Sequence, residues 1–274
     1  MKKNVLITGC STGIGKALAL EFHSKGFQVF ATARKMDSIN DLKDLGMKVI
    51  EIDINSSESL KNAYHSLLTL TDRLEILVNN AGYAAMGPLV EMPKEELELQ
   101  FRTNVLSQIE VIKAFLPLLR KEPSVVANIS SVSGDLSTPF AGAYCATKSA
   151  LSSLSDALRM ELSPFKISVV DVRPGAIESG FGRTADNKLS AWLSPNSIYS
   201  KIEEAIKARA TASQQNPTPT ALFAKQLVRQ LSSEHPRAVI RLGKGSRALM
   251  ILGKWFPRKI TDKILQKKFH LDRL

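Results

Sequence analysis

Six short runs rich in Val and Ile recur along the first two-thirds of the chain: Lys3–Thr8, Gln28–Ala33, Lys48–Ile52, Ile76–Asn79, Val125–Ile129 and Ser168–Val172. They are apolar on both faces, as strands covered from both sides must be. Amphipathic stretches lie between them, at Ile14–Lys25, Ser57–Leu70, Lys94–Leu119 and Ala143–Ser163. Strand–helix alternation of this kind predicts an α/β fold with a parallel, doubly wound, Rossmann-like sheet, helices on both faces and right-handed crossovers. Pro164 marks the end of the last of these helices. Beyond Val172 the pattern loosens, with loops around Gly180–Leu189 and Pro195 and helices at Ile198–Ala212 and Pro219–Leu231. Thr218 before Pro219 reads as an N-cap with proline at the first helical position. No repeat or linker divides the chain, so residues 1–274 are expected to form a single domain, with 180–274 as substrate loop and C-terminal extension.

The 274 residues suffice for one large core. Two distant cysteines, Cys10 and Cys145, make no disulfide framework and point to a reducing, cytoplasmic compartment. The basic start Lys2-Lys3 is followed only by Val5–Ile7, too short for the apolar region of a signal peptide. No run approaches the roughly 18 apolar residues of a membrane span. His23, His65, His235 and His270 stand singly, without ligand spacing, and no metal site is expected. Cys145 has no indicated base partner and reads as a small packing residue.

The first strand runs directly into Thr8-Gly9-Cys10-Ser11-Thr12-Gly13-Ile14-Gly15, and a helical pattern follows. Glycines are needed where backbone turns with positive φ or must approach a pyrophosphate, and the N–H groups opening the next helix then face the anion. The spacing G-x-x-x-G-x-G resembles that of the short-chain dehydrogenase/reductase family. So do Asn79-Asn80-Ala81-Gly82 after the fourth strand, Tyr144-Cys145-Ala146-Thr147-Lys148, and Pro174-Gly175 after the sixth. The likeness runs from Val5 to about Ser179. It implies hydride transfer between a nicotinamide dinucleotide and a carbonyl or alcohol.

The cofactor expectations follow residue by residue. Gly9, Ser11, Thr12, Gly13, Ile14 and Gly15 would hold the pyrophosphate. At the end of strand two, Ala33 stands where NAD-binding members usually carry an acid, and Arg34 then Lys35 follow. An arginine there accommodates the 2′-phosphate of NADP(H), which is the expected cofactor, although Asp37 leaves NAD(H) open. By resemblance Asp53, with Ile54, faces the adenine; the competing reading of Asp53 is a solvated strand end. Asn80, Ala81 and Gly82 would line the cleft, with Pro174, Gly175, the backbone of Ile177 and the hydroxyl of Ser179 toward the nicotinamide.

Tyr144 and Lys148, four apart on a helix, share one face. A phenol beside an ammonium, and beside the charge of an oxidised nicotinamide, becomes a usable acid or base. By resemblance Lys148 also holds the nicotinamide ribose, Ser131 donates to the substrate oxygen, and Asn104 supports a water chain to the lysine. Ser130 and Ser133 compete with Ser131 for that position. The alternatives are a non-catalytic, NADPH-sensing interaction protein on the same scaffold and a peripheral membrane module for which the fold is a carrier.

Between Arg241 and Leu274 stand ten Lys/Arg and two Asp, so this end carries +8 of the net +11. Ile260, Ile264 (or Leu265) and Phe269 fall near helical spacing among the lysines. Two readings stay open: a helix covering the domain with a solvated basic face, or a surface for anionic membrane. No recognition motif accompanies the charge, so nucleic acid is not an expected partner. Val239–Gly245 and the hydrophobic–basic end resemble, more loosely, a branch containing 17β-hydroxysteroid dehydrogenase-like enzymes and acyl-dihydroxyacetone-phosphate reductases. That likeness implies an apolar substrate such as a steroid, retinoid or lipid ketone. Its pocket would be built by the Phe181–Asn196 loop, Met86, Leu136, Phe140 and the tail. The family also implies a homodimer or homotetramer paired through the long helices.

Overall fold

The computed structural model describes residues 2–274, and for Phe181 and Arg183 the backbone alone. The first half alternates as the sequence predicts: β1 (Asn4–Ile7), α1 (Gly13–Ser24), β2 (Gln28–Ala33), a short α2 (Asn40–Asp44), β3 (Lys48–Glu51), α3 (Ser57–Leu68) and β4 (Ile76–Asn79). There follow α4 (Lys94–Phe101), α5 (Ser107–Leu119), β5 (Ser124–Ile129), α6 (Gly142–Leu162) and β6 (Ile167–Pro174). The last hundred residues give α7 (Phe181–Trp192), α8 (Glu203–Thr211), α9 (Thr220–Leu231), β7 (Val239–Leu242), α10 (Ala248–Trp255) and α11 (Arg258–Lys268). The strands form one seven-stranded sheet in the order β3-β2-β1-β4-β5-β6-β7. Every adjacent pair is parallel.

Strand pleating sends successive side chains to opposite faces. Val5, Ile7, Val29 and Ala31 bury against α1 and α9, in a core that also holds Leu18, Phe22, Phe223 and Leu227. Leu6, Phe30, Ile50 and Leu77 bury on the other face, with Leu60 and Leu67 of α3 and Val111 and Phe115 of α5. Strand order reverses between β1 and β4, so their following loops diverge and leave a crevice at the C-terminal edge. Ligands bind parallel sheets at such a point.

Four details differ from the sequence reading. Lys94–Leu119 is not one α-helix: residues 102–106 are π-helical, which sets Asn104 in a widened turn. The Gly180–Leu189 stretch is helical, because Ala185 and Leu189 bury four apart, a stripe that Gly182 and Asn187 dilute in the sequence. Helix α9 starts at Thr220 behind Pro219, with no side-chain cap. Thr218 instead bridges Ile177, and its hydroxyl accepts the Lys244 N–H at 3.0 Å. Finally, Val239–Leu242 is a strand. Its pattern was broken by Arg241, whose charge is held inside by an ion network. Residues beyond 180 thus supply both an edge strand of the sheet and a covering helix, and the basic helices α10 and α11 come after them.

That network ties β5's exit to β6 and β7. Arg241 Nη2 lies 2.9 Å from Asp135 Oδ1 and 3.0 Å from Oδ2. Arg173 bonds the same carboxylate and, through Nε at 2.6 Å, Asp171. The Asp135 side chain is only 2% exposed. Removing its charge leaves the enclosed Arg241 without a counterion and Arg173 with Asp171 alone, so Asp135→Asn should destabilise the fold by about 3 kcal/mol. Urea denaturation would check this, and a loss under 1 kcal/mol would show the network to be dispensable.

Candidate active site

The crevice is lined first by the turn after β1. Gly9 and Gly13 stand at φ +73° and +58°, where side-chain-bearing residues rarely sit. A Cβ on Gly15 would lie 2.2 Å from the Gly9 carbonyl oxygen and 2.5 Å from Asn80 Nδ2, so only glycine closes this bend. Thr12 caps α1 without a side-chain hydrogen bond, and no acid lies in the first turn. The N–H groups there are consequently open to an anion, in an electropositive helix start. The residues fit a pyrophosphate.

The bend is stitched to the loop after β4. The Thr8 hydroxyl accepts the N–H groups of both Asn80 and Ala81 at 2.9 Å and donates to the Val78 carbonyl at 3.3 Å. Asn80 Nδ2 donates to the carbonyls of Thr8 and Gly9 at 2.9 and 3.1 Å. Gln108 Nε2 holds the Ala81 carbonyl at 2.9 Å. Thr8 and Gln108 escaped the sequence reading, since a lone Thr in a strand or Gln in a helix carries no local signal.

At the end of β2, Arg34 and Lys35 are exposed beside this turn, and neither pairs with a carboxylate among the described residues. The turn is close, because the Cys10 N–H donates to the Thr32 carbonyl at 2.7 Å. Asp53 takes its own turn's Asn55 N–H on Oδ1 at 2.9 Å. The Ile54 side chain is buried in the core, leaving only its backbone for the crevice. Burial pushes the Cys10 thiol up to about 12, against a hydrogen bond with Thr32, so Cys10 is an inert core residue.

On the far side, the Gly175 backbone presses against the loop after β7: a Cβ there would meet the Lys244 carbonyl oxygen at 2.1 Å. Pro174, which ends β6, is buried. Gln214 Nε2 donates to the Ile177 carbonyl at 3.1 Å, and Gln214 Oε1 accepts the Ser179 N–H at 3.0 Å. The Ile177 N–H has no protein acceptor among the described residues, as a carboxamide partner requires. Ser179 Cβ would lie 3.2 Å from a Cβ on Gly13, so it stands across the glycine bend.

Ser131, Tyr144 and Lys148 come together where β5 faces α6. Ser130 and Ser131 point apart, as adjacent extended residues do. Ser130 Oγ bonds Asp171 and, at 2.9 Å, the Val172 carbonyl, whereas Ser131 stands near enough to the Tyr144 phenol to favour its ionised form. Ser131 Oγ also accepts the Ser133 N–H at 3.0 Å, which fixes it as the cap of the following turn. Lys148 Nζ donates to the Ile129 carbonyl at 2.9 Å and lies 5.7 Å from the Tyr144 ring centroid. A Cβ on Gly82 would sit 3.9 Å from that Nζ, so the lysine also borders the β4 loop.

Asn104 is fully buried. Its Oδ1 accepts the Tyr83 N–H and its Nδ2 donates to the Tyr83 carbonyl, both at 2.8 Å; Nδ2 also reaches Thr147 Oγ1 at 3.1 Å. Its side chain therefore clamps the β4 loop to α6, and the π-turn is what aims it there.

Burial pushes the Tyr144 phenol up to about 12; the Ser131 hydroxyl opposes this, Cys145 adds to it and Arg209 lowers it. Burial pulls Lys148 down to about 8, against the charge of Asp171. The sequence reading assigned the acidifying charge to Lys148 together with an oxidised nicotinamide; from the protein's own groups, desolvation outweighs the lowering by Ser131 and Arg209. Burial also raises the Cys145 thiol, which suits a packing role.

Above Tyr144 lies an apolar cluster of Met86, Phe140, Ala185, Leu189, Ile206, Leu265 and Phe269, with Leu136 and Trp192 against it. Met86, Leu136 and Phe140 are thus grouped as expected, and α11 joins them from the tail. Phe140 stands at φ +62°, a left-handed conformation that is costly for a bulky residue. The Phe181 side chain, part of the expected pocket, lies outside the described residues. No cluster of metal-ligating side chains occurs among the described residues. No helix among them is long and apolar enough to cross a membrane.

Comparison with known proteins places this geometry in context. A family model described as short chain dehydrogenase matches residues 3–190. The chain is 33% identical over 278 residues to the short-chain dehydrogenase cctT of Talaromyces islandicus, covering 100% of this chain and 98% of the relative. It is 33% identical over 201 residues to an NADPH-dependent 1-acyldihydroxyacetone phosphate reductase of Schizosaccharomyces pombe, covering 72% and 68%. A short-chain dehydrogenase structure from Streptomyces avermitilis superposes with TM-score 0.79 at 27% identity, covering 100% and 97%. One from Burkholderia cenocepacia in complex with NADP gives 0.74 at 21%, covering 96% and 97%. One from Burkholderia phymatum in complex with NAD gives 0.75 at 22%, covering 88% of each chain.

The two opposed pKa shifts set the sign of the alkaline stability profile. Lys148 falls from its ordinary 10.5 to about 8, so between those pH values the unfolded chain binds the extra proton and stability rises with pH. Tyr144 rises from 10.0 to about 12, so across that window the folded chain holds the proton and stability falls. Each slope is at most about 1.4 kcal/mol per pH unit. Denaturation series should lose the first slope in Lys148→Met and the second in Tyr144→Phe; unchanged profiles would contradict the burial assigned to these groups.

Proposed function

Since the chain belongs to the short-chain dehydrogenase family, we propose that it transfers hydride between NADP(H) and the carbonyl or alcohol of an apolar, lipid-like substrate. The observation that carries this is the convergence of Ser131, Tyr144 and Lys148 at the crevice whose glycine bend opens on a helix start with no side-chain cap and no acid. When bound, the dinucleotide supplies the hydride and, once oxidised, a positive charge near the phenol. Tyr144 then serves as proton donor in reduction and acceptor in oxidation. Ser131 donates to the substrate oxygen as charge develops on it. Lys148 keeps the ribose in place and its ammonium near the phenol. Asn104 holds the β4 loop against α6. Asp53 meets the adenine. Residues 1–274 then work as a single catalytic domain, with the segment from 180 onward building the substrate side.

Arg34 and Lys35, with no carboxylate partner among the described residues, favour the 2′-phosphate of NADP(H). The NADPH-dependent relative accords with that choice. It acts on an acylated ketone, which accords with lipid metabolism. Exposed Leu99, Phe101 and Leu106 around the π-turn and Met160 on α6 suit pairing of the long helices in a homodimer or homotetramer.

Turnover of a ketone panel with NADPH or NADH tests the central reading. Tyr144→Phe should lower kcat at least about 100-fold while NADPH still binds. Arg34→Ala should cost about tenfold in kcat/KM with NADPH and leave NADH rates alone. Near-native turnover by Tyr144→Phe, or cofactor binding with no consumption by the native chain, would favour the sensor alternative.

The tail supports peripheral membrane contact. On α11, Thr261, Leu265 and then Phe269 face the domain, while Ile260 and Ile264 are exposed among Lys263, Lys267 and Lys268. On α10, Ile251 is exposed and Trp255 is 79% exposed, with Lys254 between them. Apolar side chains ringed by cations fit an anionic bilayer, whereas a second copy would bring like charge to like. Both Trp255→Ser and Ile264→Ser, made together in the full chain, should cut sedimentation with phosphatidylglycerol vesicles several-fold. Equal pelleting with neutral phosphatidylcholine vesicles would end this reading.

A further inference from the structure

Helix α8 carries a cation that nothing in the fold explains. Ile206 and Ala210 of this helix are buried in the apolar cluster that contains Tyr144. Arg209, between them on the helix, is partly buried. Its Nε donates to Thr138 Oγ1 at 2.9 Å, in the segment leading to α6. Its charge reaches both Tyr144 and Cys145, and burial pulls its pKa below the ordinary arginine range. Among the described residues no carboxylate pairs with it: the acids of its own helix are engaged or exposed, Glu203 with Lys207 at 2.7 Å and Glu204 in solvent. The other enclosed arginines behave differently, since Arg173 and Arg241 share Asp135.

An enclosed cation without a counterion is expensive, and such groups persist where function uses them. With Nε taken by Thr138, the guanidinium retains Nη1 and Nη2, an end-on fork that matches two oxygens of a carboxylate or phosphate. A second donor points the same way: Trp192 Nε1, packed against this cluster, is buried and has no acceptor among the described residues. The cluster thus offers hydrogen-bond donors and positive charge, and its walls are otherwise aliphatic and aromatic.

We propose that Arg209 is a specificity-determining residue that binds an anionic oxygen group of the substrate, carboxylate or phosphate, while the apolar wall takes the attached chain. The substrate class is then an amphiphilic carbonyl or alcohol: a reacting oxygen at Tyr144, an acidic head at Arg209 and a hydrocarbon remainder. This rests on the oxidoreductase reading for the identity of the reacting group, and on the α8 geometry for the acidic head.

The test is calorimetric, on the full chain saturated with NADP, using octanoate, octyl phosphate and octanol as unreactive probes. At least one anion should bind native protein ten-fold or more tightly than octanol, and which anion does so separates carboxylate from phosphate. Arg209→Gln should abolish that gap, and Arg209→Lys, which keeps the charge, should retain part of it. Octanol affinity should be the same in all three proteins, so that a damaged fold cannot imitate the result. Octanol binding as tightly as both anions, or a gap that survives Arg209→Gln, would overturn the proposal. These titrations need no turnover, so they decide Arg209 even if Tyr144→Phe proves active and the oxidoreductase reading falls.

Discussion

Reversal of strand order between β1 and β4 is the constraint on which everything else hangs. It parts two loops at the sheet's C-terminal edge, and the Thr8 hydroxyl rejoins them by accepting two backbone N–H groups at 2.9 Å. That single acceptor lets buried backbone near the crevice stay satisfied. It also keeps the glycine bend and the Asn80–Gly82 loop at a fixed separation. Gly15 completes the arrangement, because any side chain there would collide with the Gly9 carbonyl and Asn80. The crevice is therefore shaped by backbone before any reactive side chain enters it.

Tyr144 and Lys148 sit where burial works against their charges. Desolvation drives Tyr144 up to about 12 and Lys148 down to about 8. Opposite shifts of neighbouring groups are characteristic of sites that handle protons. The nearby charges run in a chain through the sheet: Asp171 supports Lys148, Arg173 pairs Asp171, and Asp135 joins Arg173 to Arg241 on the last strand. The edge strand β7 thus bears on the active region through ion pairs as well as through its ladder. Arg209 lies outside this chain of pairs, which is why it stands apart chemically.

The two faces of the C-terminal helices explain why charge and hydrophobicity are mixed there. Leu265 and Phe269 complete the apolar wall around Tyr144, and Ile260 and Ile264 look outward among lysines. One helix thereby covers the apolar cluster and leaves a basic amphipathic face exposed. Of the two readings the sequence left open, the covering helix is the one Leu265 and Phe269 bear out, and the basic face stays exposed.

The alternation of apolar runs and helices, the glycine bend and the Tyr144–Lys148 spacing were all legible in the chain, because each is local: a period, a turn or one helical turn. Ser131 over Ser130 was legible from its position, yet its contact with the phenol needed β5 and α6 side by side. Strand β7 was hidden, since Arg241 looks like a surface charge until Asp135 meets it. The clamp by Asn104 depended on a π-turn that no periodicity announces. Arg209 shows the division most plainly: its type and helical setting are written in the sequence. That no carboxylate among the described residues pairs with it is a fact about space, fixed only when α8 joins the cluster around Tyr144.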